Sequence, residues 1–268
     1  MKSRLFSRPA ILVLSLLLLQ LRLLLASSSG IDQGDLMFEE RFNTPPLQLE
    51  YLNGSKIAAD SSGVSGKLGD SAYLSGVVSQ AEKTPGPVAR ILKKEEEQSL
   101  KEITLTMWFN GIGMQSDVAT LLGYFGIVLI NDKTFTVRLE AEREPQTQGN
   151  WVTVGRKGPL GEWIQPGQWN FFAFTWKFAT QTAVIYQGTP SGFQVVSTRT
   201  TNVTGPIQVK PKLFGGIGNS KTDESGKQAQ RPFSGYIDDV RIFSKALDEN
   251  SIKAIYQADL KNESIKAP

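Results

Sequence analysis

The acidic letters of "LEAERE" are the stretch of this 268-residue chain whose types and spacing come nearest to chemistry. Glu140, Glu142 and Glu144 recur at every second position, which on a strand places them on one face. Retaining glycoside hydrolysis uses two carboxyl groups roughly 5 Å apart, one as nucleophile and one as acid and base. Alternate strand positions come close to that separation. The same letters also describe a strand end lying in water, because Arg138 and Arg143 stand close by and Pro145 ends the run. The expectation is therefore no catalytic residue, with Glu140, Glu142 and Glu144 as the alternative.

Other chemistries fall to composition. The chain has no His and no Cys. That removes Ser-His-Asp and Cys-His nucleophiles and any zinc site built on imidazole or thiolate. A metal would have to be held by oxygen, which favours calcium or magnesium. A second acidic pair, Asp238 and Asp239, interrupts the apolar run "GYIDDVRIF". On a regular strand the two project to opposite faces, so at most one meets the core. A lone buried carboxylate costs several kcal/mol unless it is paired or binds a metal. Pairing with Arg241 or a loop lysine, or capping backbone N–H groups, meets that requirement as well as a metal does.

Recognition needs different residues. Trp151 and Trp163 lie in a stretch rich in Gly, Pro and polar residues, where one of them could stack on a sugar ring. Asn219, Asp223 and Glu224 belong to the long polar run "GNSKTDESGKQAQRP", a loop that could form a ligand rim.

The elements that must position these residues are mostly strands. "EITLTMWFN" alternates, with Ile103, Leu105, Met107 and Phe109 on one side and Thr104, Thr106 and Trp108 on the other. "TFTVRLEAE" does the same. "LLGYFGIVLI", "NWVTVG", "WNFFAFTWKF", "TAVIYQG", "FQVVSTRT" and "PKLFGGIG" read as further strands, the pattern of an all-β sandwich. Only the end changes period: "DENSIKAIYQADL" sets Ile252, Ile255, Tyr256 and Leu260 on one helical face, with Asp248 as N-cap.

Residues 1–28 read as a secretory signal peptide: a basic start "MKSRLFSRP", a leucine-rich run that Arg22 interrupts, and the small residues "ASSSG". The interrupted run is short of the roughly 20 apolar residues that cross a bilayer, so no stable membrane insertion is expected after cleavage. The formal charge is +3, and subtracting the leader cations Lys2, Arg4, Arg8 and Arg22 leaves −1. No net positive field remains to attract nucleic acid. Asn53, Asn202 and Asn262 stand in N-x-Ser/Thr sequons, which a eukaryotic secretory pathway would glycosylate.

With these elements placed, "FSGYIDDVRIFSKALDENSIKAIY" closely resembles the closing motif of laminin G-like jelly-roll domains in the concanavalin A-like lectin/glucanase superfamily. There a final strand F-x-G-x-I-D-[DE]-V-R-I-[YF] leads through A-L to a short helix. "GVSGKLGDSAYLSG", "ITLTMWFN" and "GQWNFFAFTW" resemble earlier motifs in the right order, so the likeness spans roughly residues 38 to 260. Trp108 and Trp169 match family core positions. The chain departs from the pattern in using "FATQ" for the family's D-G turn, and in the long insert "REPQTQGNWVTVGRKGPLGEWIQP".

The resemblance implies a single two-sheet antiparallel jelly-roll domain at 35–260, with a tail at 261–268. It implies a structural calcium on Asp238, helped by backbone carbonyls around Glu39 to Arg41. It also sets "LEAERE" beside the E-x-D-x-E strands of the superfamily's glucanases, with Glu142 in place of the central Asp. The expected function is a secreted or, in a bacterium, periplasmic non-catalytic module that recognises a polysaccharide or an extracellular protein. The alternatives are a carboxylate-dependent glycoside hydrolase and an adhesion module without glycan binding.

Overall fold

The computed structural model describes residues 32–42, 49–52, 56–58, 71–74, 88–91, 98–111, 119–123, 127–130, 134–141, 151–157, 167–209, 216–219 and 233–261. The signal-peptide expectation lies outside the described residues.

The strands, in chain order, are β1 (Leu36–Glu40), β2 (Leu49–Leu52), β3 (Lys56–Ala58), β4 (Ser71–Leu74), β5 (Val88–Ile91), β6 (Gln98–Leu100), β7 (Glu102–Gly111), β8 (Ala119–Gly123) and β9 (Ile127–Ile130). They continue as β10 (Thr134–Glu140), β11 (Trp151–Lys157), β12 (Asn170–Lys177), β13 (Thr182–Thr189), β14 (Gly192–Thr200), β15 (Ile207–Val209), β16 (Gly216–Ile217) and β17 (Gly235–Phe243). One helix, α1 (Glu249–Leu260), follows.

Two antiparallel sheets face each other, as expected of a jelly-roll sandwich. The first runs β14–β13–β12–β7–β17–β4–β3, with β1 added along β17. The second runs β11–β10–β9–β8–β16–β5–β2, and β6 pairs with β15 apart from both. The run read as a single strand, "LLGYFGIVLI", is instead parts of two: β8 and β9 pair with Ala119 opposite Ile130. Gly123 and Gly126 within the run are the breakers that a one-strand reading overlooks.

Between the sheets lies the main core. Ile103, Leu105, Met107 and Phe109 of β7 join Phe172, Phe174 and Trp176 of β12, and Ile237, Val240 and Ile242 of β17. The second sheet contributes Leu121, Val137, Leu139, Val152, Val154 and Ile217. The outer face of the first sheet carries a second cluster, in which Trp108, Phe171, Tyr186 and Phe243 pack under Ile252, Ile255 and Tyr256 of α1. The central strand is therefore buried on both faces, Thr104 and Thr106 included. Thr104 meets the cost by donating its hydroxyl to the Lys245 carbonyl (2.6 Å) and accepting from the Leu247 N–H (2.9 Å). Asp248 caps α1 as its type predicts, its side chain accepting from the Ser251 N–H.

Candidate functional site

The acid pair of β17 does not alternate as a regular strand would. Asp238 lies opposite Trp108 and Arg241 opposite Thr106, so β17 carries one extra residue at a bulge. Asp239 takes the left-handed conformation there (φ 48°), which Asp tolerates better than most residues. Both carboxylates end up buried, each 1% exposed, and the expectation that only one meets the interior is corrected by the bulge. Asp238 Oδ1 accepts the Asp239 N–H at 2.7 Å. Asp239 Oδ1 accepts from Arg41 Nε (3.0 Å) and Arg241 Nη2 (3.2 Å).

Arg241 is the hub of this region. Its Nε donates to Glu39 (2.8 Å) and its Nη1 to Asp259 of α1 (3.0 Å), while Nη2 lies 2.9 Å from the other Asp259 oxygen. The Trp108 indole N–H donates to the same Asp259 at 3.0 Å. Burial alone would push the guanidinium pKa down, but the charges of Asp259, Asp239 and Glu39 push it up, so it stays ionised. Glu40, at the end of β1, is held above the usual carboxylate range by burial, against the pull of the Phe42 and Arg41 N–H groups. These contacts tie β1, β17 and α1 together, which is structural work.

The calcium implied at Asp238 can be tested against this donor set. The end of β1 does reach the bulge, with Glu40 opposite Val240. One oxygen of Asp238 already serves a backbone N–H, and Asp239 already holds two guanidinium groups. Among the described residues no three acids gather to hold a metal, whereas calcium takes about six to eight oxygens. The described residues do not by themselves make a calcium cage.

The other expected site residues are scattered. Glu140 is half-buried at the end of β10, paired with Trp151 at the start of β11. Glu142, Glu144, Trp163, Asp223 and Glu224 lie outside the described residues, and of Trp151 only the backbone is described. Asn219, expected on a loop rim, is instead fully buried just after β16. It packs inside where the chain leaves the sheet, so it lines no rim.

Sequence reading missed an open cleft at the mouth of the β13–β14 hairpin. It measures about 230 Å³ and is lined by Gln187, Gly188, Thr189, Gly192, Phe193 and Gln194. Gln187 pairs with Gln194 across the ladder, and Gly188 with Phe193. Gln187 is 6% exposed, and its Oε1 is buried without a hydrogen-bond partner. From α1, the Tyr256 hydroxyl donates to the Thr189 carbonyl (2.7 Å), and its ring lies 5.3 Å from that of Phe193. Phe193 also stacks on Tyr186 at 5.9 Å. The only signal in the sequence is a short Pro-Ser turn between two glutamines, which no motif singles out.

Comparison with known proteins follows the fold. A laminin G family model, described as the concanavalin A-like lectin/glucanases superfamily, matches residues 91–253. No curated protein matches the sequence. Among solved structures, a heptameric SAP-like pentraxin from Limulus polyphemus aligns at 15% identity, covering 68% of this chain and 79% of its own, with a TM-score of 0.48. The CBM40 module of the Ruminococcus gnavus IT-sialidase, bound to α2,3-sialyllactose, aligns at 12% identity over 59% of this chain and 83% of its own (TM-score 0.41). Domain 4 of AbnA, an extracellular arabinanase from Geobacillus stearothermophilus, in complex with arabinotriose, aligns at 16% identity over 81% and 85% (TM-score 0.38).

Proposed function

We propose that this chain, which belongs to the concanavalin A-like lectin/glucanases superfamily, is a non-catalytic module that recognises carbohydrate outside the cytoplasm. One observation carries the choice of recognition over hydrolysis. The buried acids that the structure describes at the β17 bulge and in α1, Asp239 and Asp259, are held by Arg41, Arg241 and the Trp108 indole. Hydrolysis on carboxylates needs two of them held at a fixed separation across a groove. With these acids committed to holding the fold together, contact with ligand falls to the loops and strand ends, as in a binding module.

The test is retention of the full chain on a glycan array, with an assay for released reducing ends on the glycans retained. Retention without release is expected. Release that Glu140→Gln abolishes would establish the hydrolase instead. No glycan retained, with an extracellular protein captured in its place, would move the reading to an adhesion module.

Calcium is part of this proposal as a structural ion: Asp238 would supply one buried carboxylate and the end of β1 its carbonyls. Calorimetric titration with calcium, against a chelated control, should then give heat and a higher melting temperature. No heat and unchanged melting would remove the ion from the account. Secretion, expected from residues 1–28, is tested by the N-terminal sequence of the exported protein.

A further inference from the structure

We infer that the cleft at the mouth of the β13–β14 hairpin is a subsite for one uncharged, hydroxyl-bearing ring, a neutral saccharide unit. The assignment rests on the carbohydrate reading above and adds to it a place and a ligand class.

Size comes first. About 230 Å³ is the share of roughly seven or eight waters at ~30 Å³ each. That is room for a single ring, below the ~300–1,000 Å³ of full small-molecule pockets. Charge comes second. The lining residues are two glutamines, a threonine, two glycines and a phenylalanine, none of them ionisable. A carboxylated or sulfated sugar would shed its water there without gaining a counter-charge. A neutral ring loses less.

The third argument is an unmet hydrogen bond. Gln187 is more than nine-tenths buried, yet one end of its amide has no partner. A buried polar atom left unpaired is costly, and such groups in folded proteins call for an explanation. The terminal amide torsion is broad and roughly two-fold, so a half-turn exchanges Oε1 and Nε2. A ligand hydroxyl both donates and accepts, and can satisfy whichever end faces the cleft. The amide of Gln194 stands directly across the ladder, so two amides converge on one opening.

The local sequence shapes the hairpin end. Thr189 pairs with Gly192, leaving Pro190 and Ser191 as the two-residue loop. Pro190 cannot adopt positive φ, and no residue from 189 to 192 does. The turn is therefore not one of the primed types, yet the ladder stays paired through Thr189 and Gly192. Gly192 keeps the opening clear, since a Cβ there would meet nothing within 4 Å, whereas Gly188 makes room for Tyr256, whose ring lies 2.7 Å from where its Cβ would be. The helix then holds the hairpin from its other face, because Tyr256 bonds to the Thr189 carbonyl and packs on Phe193. A cleft whose paired amides are already set by the ladder lowers the ordering cost of binding.

The experiment compares the full wild-type chain with Gln187→Leu and Gly192→Tyr on an array of neutral glycans and their sialylated and sulfated counterparts. Melting curves are recorded in parallel. Wild type should retain neutral glycans, and each variant should weaken that retention at least tenfold. Gln187→Leu should melt no lower than wild type, since it removes an unpaired buried atom at nearly constant shape. Gly192→Tyr should stay folded, since its side chain enters open space. Undiminished retention by both folded variants would overturn the cleft assignment while leaving carbohydrate recognition standing. Retention of acidic glycans alone would overturn the neutral class. An array on which wild type retains nothing would overturn the carbohydrate reading, and the subsite with it.

Discussion

A guanidinium taken out of water loses several kcal/mol of hydration, and only good geometry to several acceptors returns it. Arg241 has that geometry, with Glu39, Asp239 and Asp259 all within 3.2 Å of its nitrogens. Removing it strands acids that have no water to turn to. Arg241→Met should cost about 3–5 kcal/mol in chemical denaturation, the range for breaking a buried ion pair by deleting one partner. A loss under about 1 kcal/mol, the value of a surface pair, would mean the hub is solvated. The opposite sign is expected at Thr106, whose hydroxyl is buried without a partner. Thr106→Val keeps the shape and removes the orphan, so it should stabilise by about 1 kcal/mol. Glu40 adds a pH term. Its folded pKa is raised, so the stability it contributes is full below its unfolded pKa and disappears as pH rises through the folded value. Glu40→Gln should therefore lose less stability than wild type on going from acid to neutral pH, and parallel melting profiles would contradict this.

At the scale of elements, the same physics explains which features the sequence made legible. The strand order of β7, β12, β13 and β17 follows from alternation and motif, and α1 follows from its period and from Asp248. The cap is testable: Asp248→Ala should cost about 1 kcal/mol, the usual value for an N-cap. Its carboxyl is held below the usual range by the Ser251 N–H and hydroxyl, so this contribution should fade as pH falls through that lowered value. Equal effects of the substitution at acid and neutral pH would argue against the cap. The bulge at Asp239 was not legible, because one extra residue changes which face an acid meets without changing a letter of the motif. Gln181 shows the same limit. It holds the left-handed position (φ 51°) in the turn that lacks the family's glycine, and its side chain bonds to Phe178 and Val203. The hairpin cleft was equally invisible, since the hairpin that bears it is anchored by a tyrosine 67 residues further along the chain.

For the whole molecule, the apolar outer face of the first sheet raises the question of what keeps the sandwich soluble. Trp108, Phe171, Tyr186 and Phe243 form a second core on the outer face, and α1 closes it with Ile252, Ile255 and Tyr256. Exposed apolar patches of that kind drive association. The helix also supplies Asp259 to Arg241 and Tyr256 to the hairpin, so one element completes the apolar cover and the ion network and anchors the hairpin that bears the cleft. Ending the chain at Leu247 should undo all three together. The shortened protein should bind a hydrophobic dye, associate in a concentration-dependent way and melt well below the full chain. It should also lose glycan retention to the same extent as Gln187→Leu, because the cleft loses its anchor. A monodisperse shortened chain with wild-type melting would show that the sandwich stands without its helix, and that the second core is a covering and not a support.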